Sequence, residues 1–214
     1  VSFSLGTDTA GSGRVPAAFN NIVGLKPSRG LLSARGVVPA CRSLDCISIF
    51  ANCAADAQTV LDVAAGFDEQ DPYSRDVANV PAGASITPQG ARVGVPKSEN
   101  LEFFGDEAAE KLFHDAVSRA KGLGASIVEV DLAPFLEAAR LLYEGPWVAE
   151  RYVGIQEFFD AHPDAVHPVT REIIGGGAKP SAAEAFAAEY RMQALRRAVE
   201  PGWQAIDVMM TPTA

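Results

Sequence analysis

Histidine is scarce in this sequence. Its three copies, His114, His162 and His167, stand at no spacing that would build a catalytic triad or a metal site, so none is given a catalytic role and no metal is expected. Cysteine is as rare. Cys41, Cys46 and Cys53 form an odd set without a metal-ligand pattern, which reads as buried thiols in a reducing, cytoplasmic compartment. Basic residues are outnumbered, 18 Lys and Arg against 27 Asp and Glu, and the formal net charge is -9. That balance argues against nucleic acid as a partner, because phosphate binding needs clustered Lys and Arg. No apolar run reaches the roughly 18 residues of a membrane span, and no basic-then-apolar start marks a signal peptide. Neither membrane insertion nor export is expected. An initiating Met is missing too. The chain opens inside a strand pattern and stops just after another, so it is expected to be an internal piece of a longer protein.

What the sequence does have is a glycine-rich stretch near its start, Gly6-Thr7-Asp8-Thr9-Ala10-Gly11-Ser12-Gly13-Arg14-Val15-Pro16. Three glycines and an alanine surround one serine, with an acid four residues before it and an arginine two residues after. Such a stretch brings backbone N–H groups close to whatever sits beside Ser12. N–H groups converging on one concavity bind an anion, either a phosphate or the oxyanion of a tetrahedral intermediate. The residues alone leave two readings open, an acyl-transfer site and a static anion site. The loop lacks the Gly-Lys-Ser/Thr ending of a phosphate-binding P-loop. Asp8 and Arg14 read as a structural pair holding the loop, with Arg14 as a substrate contact the lesser alternative.

Along the chain, Ser2–Leu5 alternates as a short strand does, residues 16–21 suggest a helical turn opened by Pro16, and 22–27 a brief strand ended by Pro27. Residues 28–38 read as an ordered loop or hairpin rather than a helix. The segment 54–66 is a helix with Ala57, Val60, Leu61 and Ala64 on one face and Gly66 as its stop. Residues 67–89, rich in Asp, Pro, Ser and Gly, read as a long surface connection with a turn at Asp71-Pro72. Then comes a clear unit: a strand over 92–96, a helix over 106–122 capped by Asp106, and a strand over 126–130. In that helix Ala109, Leu112, Phe113, Ala116 and Ala120 form the apolar face, and His114 falls at the surface or boundary. Strand, helix, strand at this spacing predicts a parallel pair with a right-handed crossover, hence an α/β fold. Helices follow over 134–143, 146–159, 168–174 and 182–199, with Gly175-Gly176-Gly177 as a break, before a buried strand over 206–210.

The glycine stretch, followed by Asn21-Ile22-Val23-Gly24-Leu25-Lys26-Pro27-Ser28-Arg29-Gly30, closely resembles the core of the amidase signature family. Gly36-Val37-Val38-Pro39-Ala40-Cys41-Arg42-Ser43-Leu44-Asp45-Cys46 is similar to that family's next segment in the form seen in allophanate hydrolases. The resemblance covers roughly residues 1–66 and continues more weakly to Asp207–Thr213, so residues 1–214 read as part of a single amidase-signature domain. It implies an α/β fold with a mixed β-sheet core covered by helices, incomplete in this chain.

It also implies roles. Ser12 matches the family's nucleophile, and the backbone N–H groups of Thr9, Ala10, Gly11 and Ser12 match the oxyanion hole. The family's proton relay, a serine in a cis peptide and a lysine, lies N-terminal to the glycine loop, and only eleven residues precede Ser12 here. Tyr143 and Arg151, in Tyr143-Glu144-Gly145-Pro146-Trp147-Val148-Ala149-Glu150-Arg151, match the substrate ligands of allophanate hydrolases. The activity implied is serine-dependent hydrolysis of allophanate, a small-molecule amide, to ammonia and carbon dioxide in urea catabolism, with no metal or organic cofactor. A general amidase, the amidase subunit of a transamidation complex, and a non-catalytic anion-binding module are the alternatives. A homodimer formed through segments outside this chain is compatible with the resemblance.

Overall fold

The computed structural model describes residues 1–76 and 86–213. In chain order the elements are β1 (Phe3–Asp8), α1 (Val15–Phe19), β2 (Val23–Leu25), β3 (Cys46–Ala51), α2 (Ala54–Ala64), β4 (Arg92–Pro96), α3 (Glu107–Gly122), β5 (Ser126–Val130), α4 (Ala133–Glu144), α5 (Trp147–Ala161), α6 (Pro168–Gly175), α7 (Ala182–Ala205) and β6 (Val208–Met209). The fold is α/β. The described residues divide into two compact units, one formed by residues 1–76, 147–179 and 213, the other by residues 86–146 and 180–212.

The first unit is built on an antiparallel sheet of order β1-β3-β2. β3 pairs with β1 from Phe3↔Ala51 to Asp8↔Cys46, and with β2 from Val23↔Ala51 to Leu25↔Ile49. This register draws Gly6, Thr7 and Asp8 into the ladder, so the first strand runs three residues beyond the Ser2–Leu5 alternation. β3 has no counterpart in the sequence reading. It is the middle strand, with Cys46, Ser48, Ile49 and Ala51 all buried, so its covered faces erase the alternation that would have marked it. Ile49 and Ala51 form the core with Leu32 and with Ala57 of α2, and Val60 and Leu61 pack against it.

Two details of α2 differ from expectation. It ends at Ala64 because Ala65 turns extended (φ -69°, ψ 133°), without help from Gly66, and Ala65 takes the inward place expected of Ala64. The expected Asp71-Pro72 turn is present, closed by Ser74 N–H to Asp71 O, and its acid is buried with Oδ2 accepting from Ala34 N–H. The rest of the expected 67–89 connection lies partly outside the described residues. Of the cysteines, Cys41 and Cys46 are buried as expected. Cys53 is exposed, because it precedes α2 at its N-cap position beyond the end of the sheet.

The second unit carries a parallel sheet of order β5-β4-β6. α3 crosses between β4 and β5, and Asp106 caps it by accepting from Ala109 N–H at 2.9 Å. Its inward stripe is Ala109, Phe113, Ala116, Val117 and Ala120. Leu112, expected on that face, is exposed, since a residue 100° round from Phe113 falls off the stripe. His114 is exposed, as expected. Val93, Val95, Phe113 and Ala125 make the core.

α7 runs to Ala205, past the expected end at Val199 and through Pro201. Proline forfeits one helical hydrogen bond. The end is instead set by tertiary anchoring: Ile206 is buried, and Asp207 accepts from the Arg92 backbone N–H at 2.8 Å and the Arg92 guanidinium at 2.7 Å. The strand that follows has two residues, and Val208 is exposed where a buried strand was expected.

Candidate active site

The site is organised by Asp8, the last residue of β1, whose side chain is wholly buried. Its Oδ1 accepts from Gly11 N–H at 2.7 Å, Arg14 Nη2 at 3.0 Å and Lys26 Nζ at 3.2 Å. Its Oδ2 accepts from Gly13 N–H at 3.1 Å and Arg14 Nε at 2.8 Å. Burial pushes this carboxyl up, but the bonds from Arg14 and Gly11 and the charge of Lys26 outweigh it and hold the group well below the usual carboxylate range. Asp8 therefore stays charged, as a buried acid does when cations and N–H groups satisfy its oxygens. Arg14 is raised in turn by its bond to Asp8. The expectation of a structural pair agrees with this geometry. Lys26, the third member, carried no role in the sequence reading.

Five bonds onto one carboxylate fold residues 8–14 into a closed loop. Gly11 takes φ 137°, a conformation that favours glycine, and its carbonyl accepts from Arg14 N–H and Val15 N–H, both at 2.8 Å, to begin α1. Gly13 is pressed against β3: a Cβ there would overlap the Ser48 side chain and come within 3.1 Å of Asp8 Cβ. Between these two buried glycines Ser12 is exposed. Of the four N–H groups expected as an oxyanion hole, that of Gly11 is engaged by Asp8. Those of Thr9, Ala10 and Ser12 have no acceptor among the described residues.

Thr9 is held from two sides. Its hydroxyl donates to Asp45 Oδ1 at 2.6 Å, and its carbonyl accepts from Lys26 Nζ at 3.0 Å. Asp45 is itself buried and accepts from Ala40 N–H and Cys41 N–H, at 3.0 and 3.1 Å. The same segment reaches α5, where the Glu150 carboxylate accepts from Ser43 N–H and Ser43 Oγ, both at 2.6 Å.

A family profile described as Amidase matches residues 1–214. The chain belongs to the Amidase family. The chain is similar to the urea amidolyase of Saccharomyces cerevisiae, 43% identical over 219 residues that take in all of the chain and 12% of that protein. Its fold matches the allophanate hydrolase of Kluyveromyces lactis with a TM-score of 0.93 and 44% identity, covering 100% of this chain and 35% of that one. It is also similar to a glutamyl-tRNA(Gln) amidotransferase subunit from Methanosarcina barkeri, 40% identical over 145 residues, 66% of this chain and 30% of that protein. The chain thus spans a minor part of each of these relatives.

The two expected substrate ligands lie in different units of the chain. Tyr143 is exposed near the C-terminal end of α4. Arg151 is half-buried in the first turns of α5 and lines a cavity of about 440 Å³ with Val38, Pro39, Ala40, Ile155 and Ile173. Its guanidinium neighbours the thiol of Cys41; burial pushes that thiol up, and Arg151 pulls against it. Asp45, Ser43 and Glu150, which connect this helix to the glycine loop, were missed in the sequence. The signal available was Ser43-Leu44-Asp45, two hydrogen-bonding side chains between Cys41 and Cys46. Among the described residues no group of three His, Cys, Asp or Glu side chains is placed to hold a metal. No described helix is long and apolar enough to cross a membrane.

Proposed function

We propose that this chain carries the nucleophile of a serine-dependent amidohydrolase whose substrate is allophanate. The observation that carries the reading is the exposed Ser12 between two buried glycines, beside backbone donors with no acceptor among the described residues. Its Oγ attacks the terminal carbonyl of the ureido group, and its proton passes to a base, without which a serine hydroxyl is a poor nucleophile at neutral pH. The resemblance assigns that task to a lysine relayed by a serine in a cis peptide, both N-terminal to the glycine loop. The N–H groups of Thr9, Ala10 and Ser12 stabilise the oxyanion, while Gly11 braces the loop through Asp8. Ammonia leaves, taking the proton back from the relay, and water cleaves the acyl-serine.

The substrate carboxylate goes to Arg151, whose planar guanidinium pairs with a carboxylate through two parallel hydrogen bonds; the resemblance names Tyr143 as a further substrate ligand. No metal or organic cofactor has a step in this scheme. The reading places the enzyme in the cytoplasm, without nucleic acid or membrane partners, and the chain within a single amidase-signature domain.

Relatives named urea amidolyase and allophanate hydrolase are similar over the whole chain, whereas the amidotransferase relative matches 66% of it, which favours allophanate over a transamidation role. A fluorophosphonate probe on the full-length protein tests the nucleophile. Labelling at Ser12 is expected. A protein that turns over allophanate yet is labelled elsewhere, or not at all, would return the loop to a static anion site.

A further inference from the structure

Thr9 stands where the proposed oxyanion hole begins, and three side chains fix the peptide planes around it. In a trans peptide the C=O of one residue and the N–H of the next point in opposite directions. Lys26 Nζ binds Thr9 O at 3.0 Å, so the N–H of Ala10 is turned away from Lys26. Asp8 binds the Gly11 N–H at 2.7 Å and fixes the following plane in the same way. The Thr9 side chain is tied by its hydroxyl to Asp45 at 2.6 Å. Asp45 is immobilised in its turn by the backbone N–H groups of Ala40 and Cys41, in addition to being buried.

Lys26 is more than a counter-charge for Asp8. Arg14 already meets both oxygens of that carboxylate, at 2.8 and 3.0 Å, while the Lys26 ammonium lies closer to Thr9 O, at 3.0 Å, than to Asp8 Oδ1, at 3.2 Å. A carbonyl oxygen held by an ammonium in a partly buried place resists rotation of its peptide plane, because turning it would cost the ammonium one of its two acceptors. Oxyanion donors act by being aimed in advance at the charge that develops, which makes their orientation a catalytic quantity.

We propose that Lys26 and Asp45 are positioning residues that hold Thr9 by its carbonyl and its hydroxyl and thereby aim the Ala10 N–H at the oxyanion. The proposal rests on the reading of Ser12 as nucleophile. It assigns Lys26 no proton transfer and no contact with substrate. Its effect belongs to the transition state, where the oxyanion exists, and leaves ground-state binding of the carboxylate untouched.

The test uses the full-length enzyme with Thr9→Val, Thr9→Ser, Lys26→Met and Lys26→Arg, each assayed for kcat and KM on allophanate. Thr9→Val keeps the shape of the side chain and the whole backbone but removes the bond to Asp45; Thr9→Ser restores a hydroxyl. Thr9→Val and Lys26→Met are expected to lower kcat about ten- to a hundredfold with KM within about twofold, a split that marks loss of an interaction made only in the transition state. Thr9→Ser should recover most of the loss and Lys26→Arg part of it. Retention of kcat within about twofold in Thr9→Val overturns the proposal, as does an equal loss in Thr9→Ser. If Lys26→Met does not fold, the Thr9 pair decides alone. Activity that survives Ser12→Ala would instead overturn the nucleophile reading, and this proposal with it.

Discussion

The carboxylate of Asp8 and the guanidinium of Arg14 meet in two near-parallel hydrogen bonds, Nε to Oδ2 at 2.8 Å and Nη2 to Oδ1 at 3.0 Å. The span from residue 8 to residue 14 is thereby closed on itself, with Ser12 exposed between two buried glycines. If Ser12 is the nucleophile proposed above, the arrangement separates two kinds of damage: changes at Ser12 should touch chemistry, and changes at Asp8 the frame.

Replacing Ser12 by Ala removes one exposed hydroxyl for which no hydrogen-bond partner is seen among the described residues. Ammonia release from allophanate by the full-length enzyme should be abolished while thermal unfolding stays where it was. Activity within about tenfold of wild type at unchanged melting temperature would remove Ser12 from the role of nucleophile, since loss of a covalent nucleophile costs several orders of magnitude.

Asp8→Asn should cost about 1.5–3 kcal/mol, the worth of a hydrogen bond to a charged group, because the Arg14 left behind is half exposed and keeps solvent. The pH dependence has a definite sign. The Asp8 carboxyl lies below its usual range in the folded protein, so the stability it contributes is complete above the unfolded value of about 4 and drains away as pH falls through the folded one. Urea midpoints of wild type and Asp8→Asn, compared at pH 6 and pH 3, should therefore differ more at the higher pH. An unchanged gap would mean that the carboxylate contributes through shape alone.

Gly13→Ala should destabilise the first unit by at least about 1–3 kcal/mol, the cost of forcing atoms into a filled space. The added methyl would overlap both the Oγ and the Cβ of Ser48. Ser48→Ala, which removes only the Oγ, should therefore fail to rescue it. Denaturant melts of the single and double variants check this, and full rescue would show that the glycine is there for reasons other than the approach of β3.

Arg151→Lys keeps the charge and loses the planar fork. A charge-assisted hydrogen bond is worth about 1.5–3 kcal/mol, so kcat/KM for allophanate should fall roughly ten- to a hundredfold. A neutral amide should be hydrolysed as before. Equal losses on both substrates, with a drop in melting temperature, would make Arg151 a structural residue of the cavity it lines beside Ile155 and Ile173.

What the sequence disclosed and what it withheld divide along chain distance. α3 and its Asp106 cap were legible because helix period and cap lie within sixteen or so neighbours. The Asp8–Arg14 pair was legible at a separation of six. Lys26 reaches Asp8 across eighteen residues, Asp45 reaches Thr9 across 36, and Glu150 reaches Ser43 across 107. No local pattern encodes those meetings. The middle strand β3 went unseen for a related reason, since strands covered on both sides lose their alternation and are recognised by partners rather than by rhythm. Ala65, Leu112 and Val208 are smaller cases of a face turned by its neighbours.

The register Asp8↔Cys46 has a consequence in time. The ring around Ser12 is completed by groups from three places: Lys26 next to β2, Ser48 on β3 and Asp45 just before it. A polypeptide emerging from the ribosome would show the glycine stretch long before these arrive, and contacts between residues that distant in sequence form late because loop closure must come first. Until residue 51 has joined, the serine is an ordinary hydroxyl on a floppy tether. The loop that presents Ser12 is therefore finished by the zipping of one strand rather than by its own sequence.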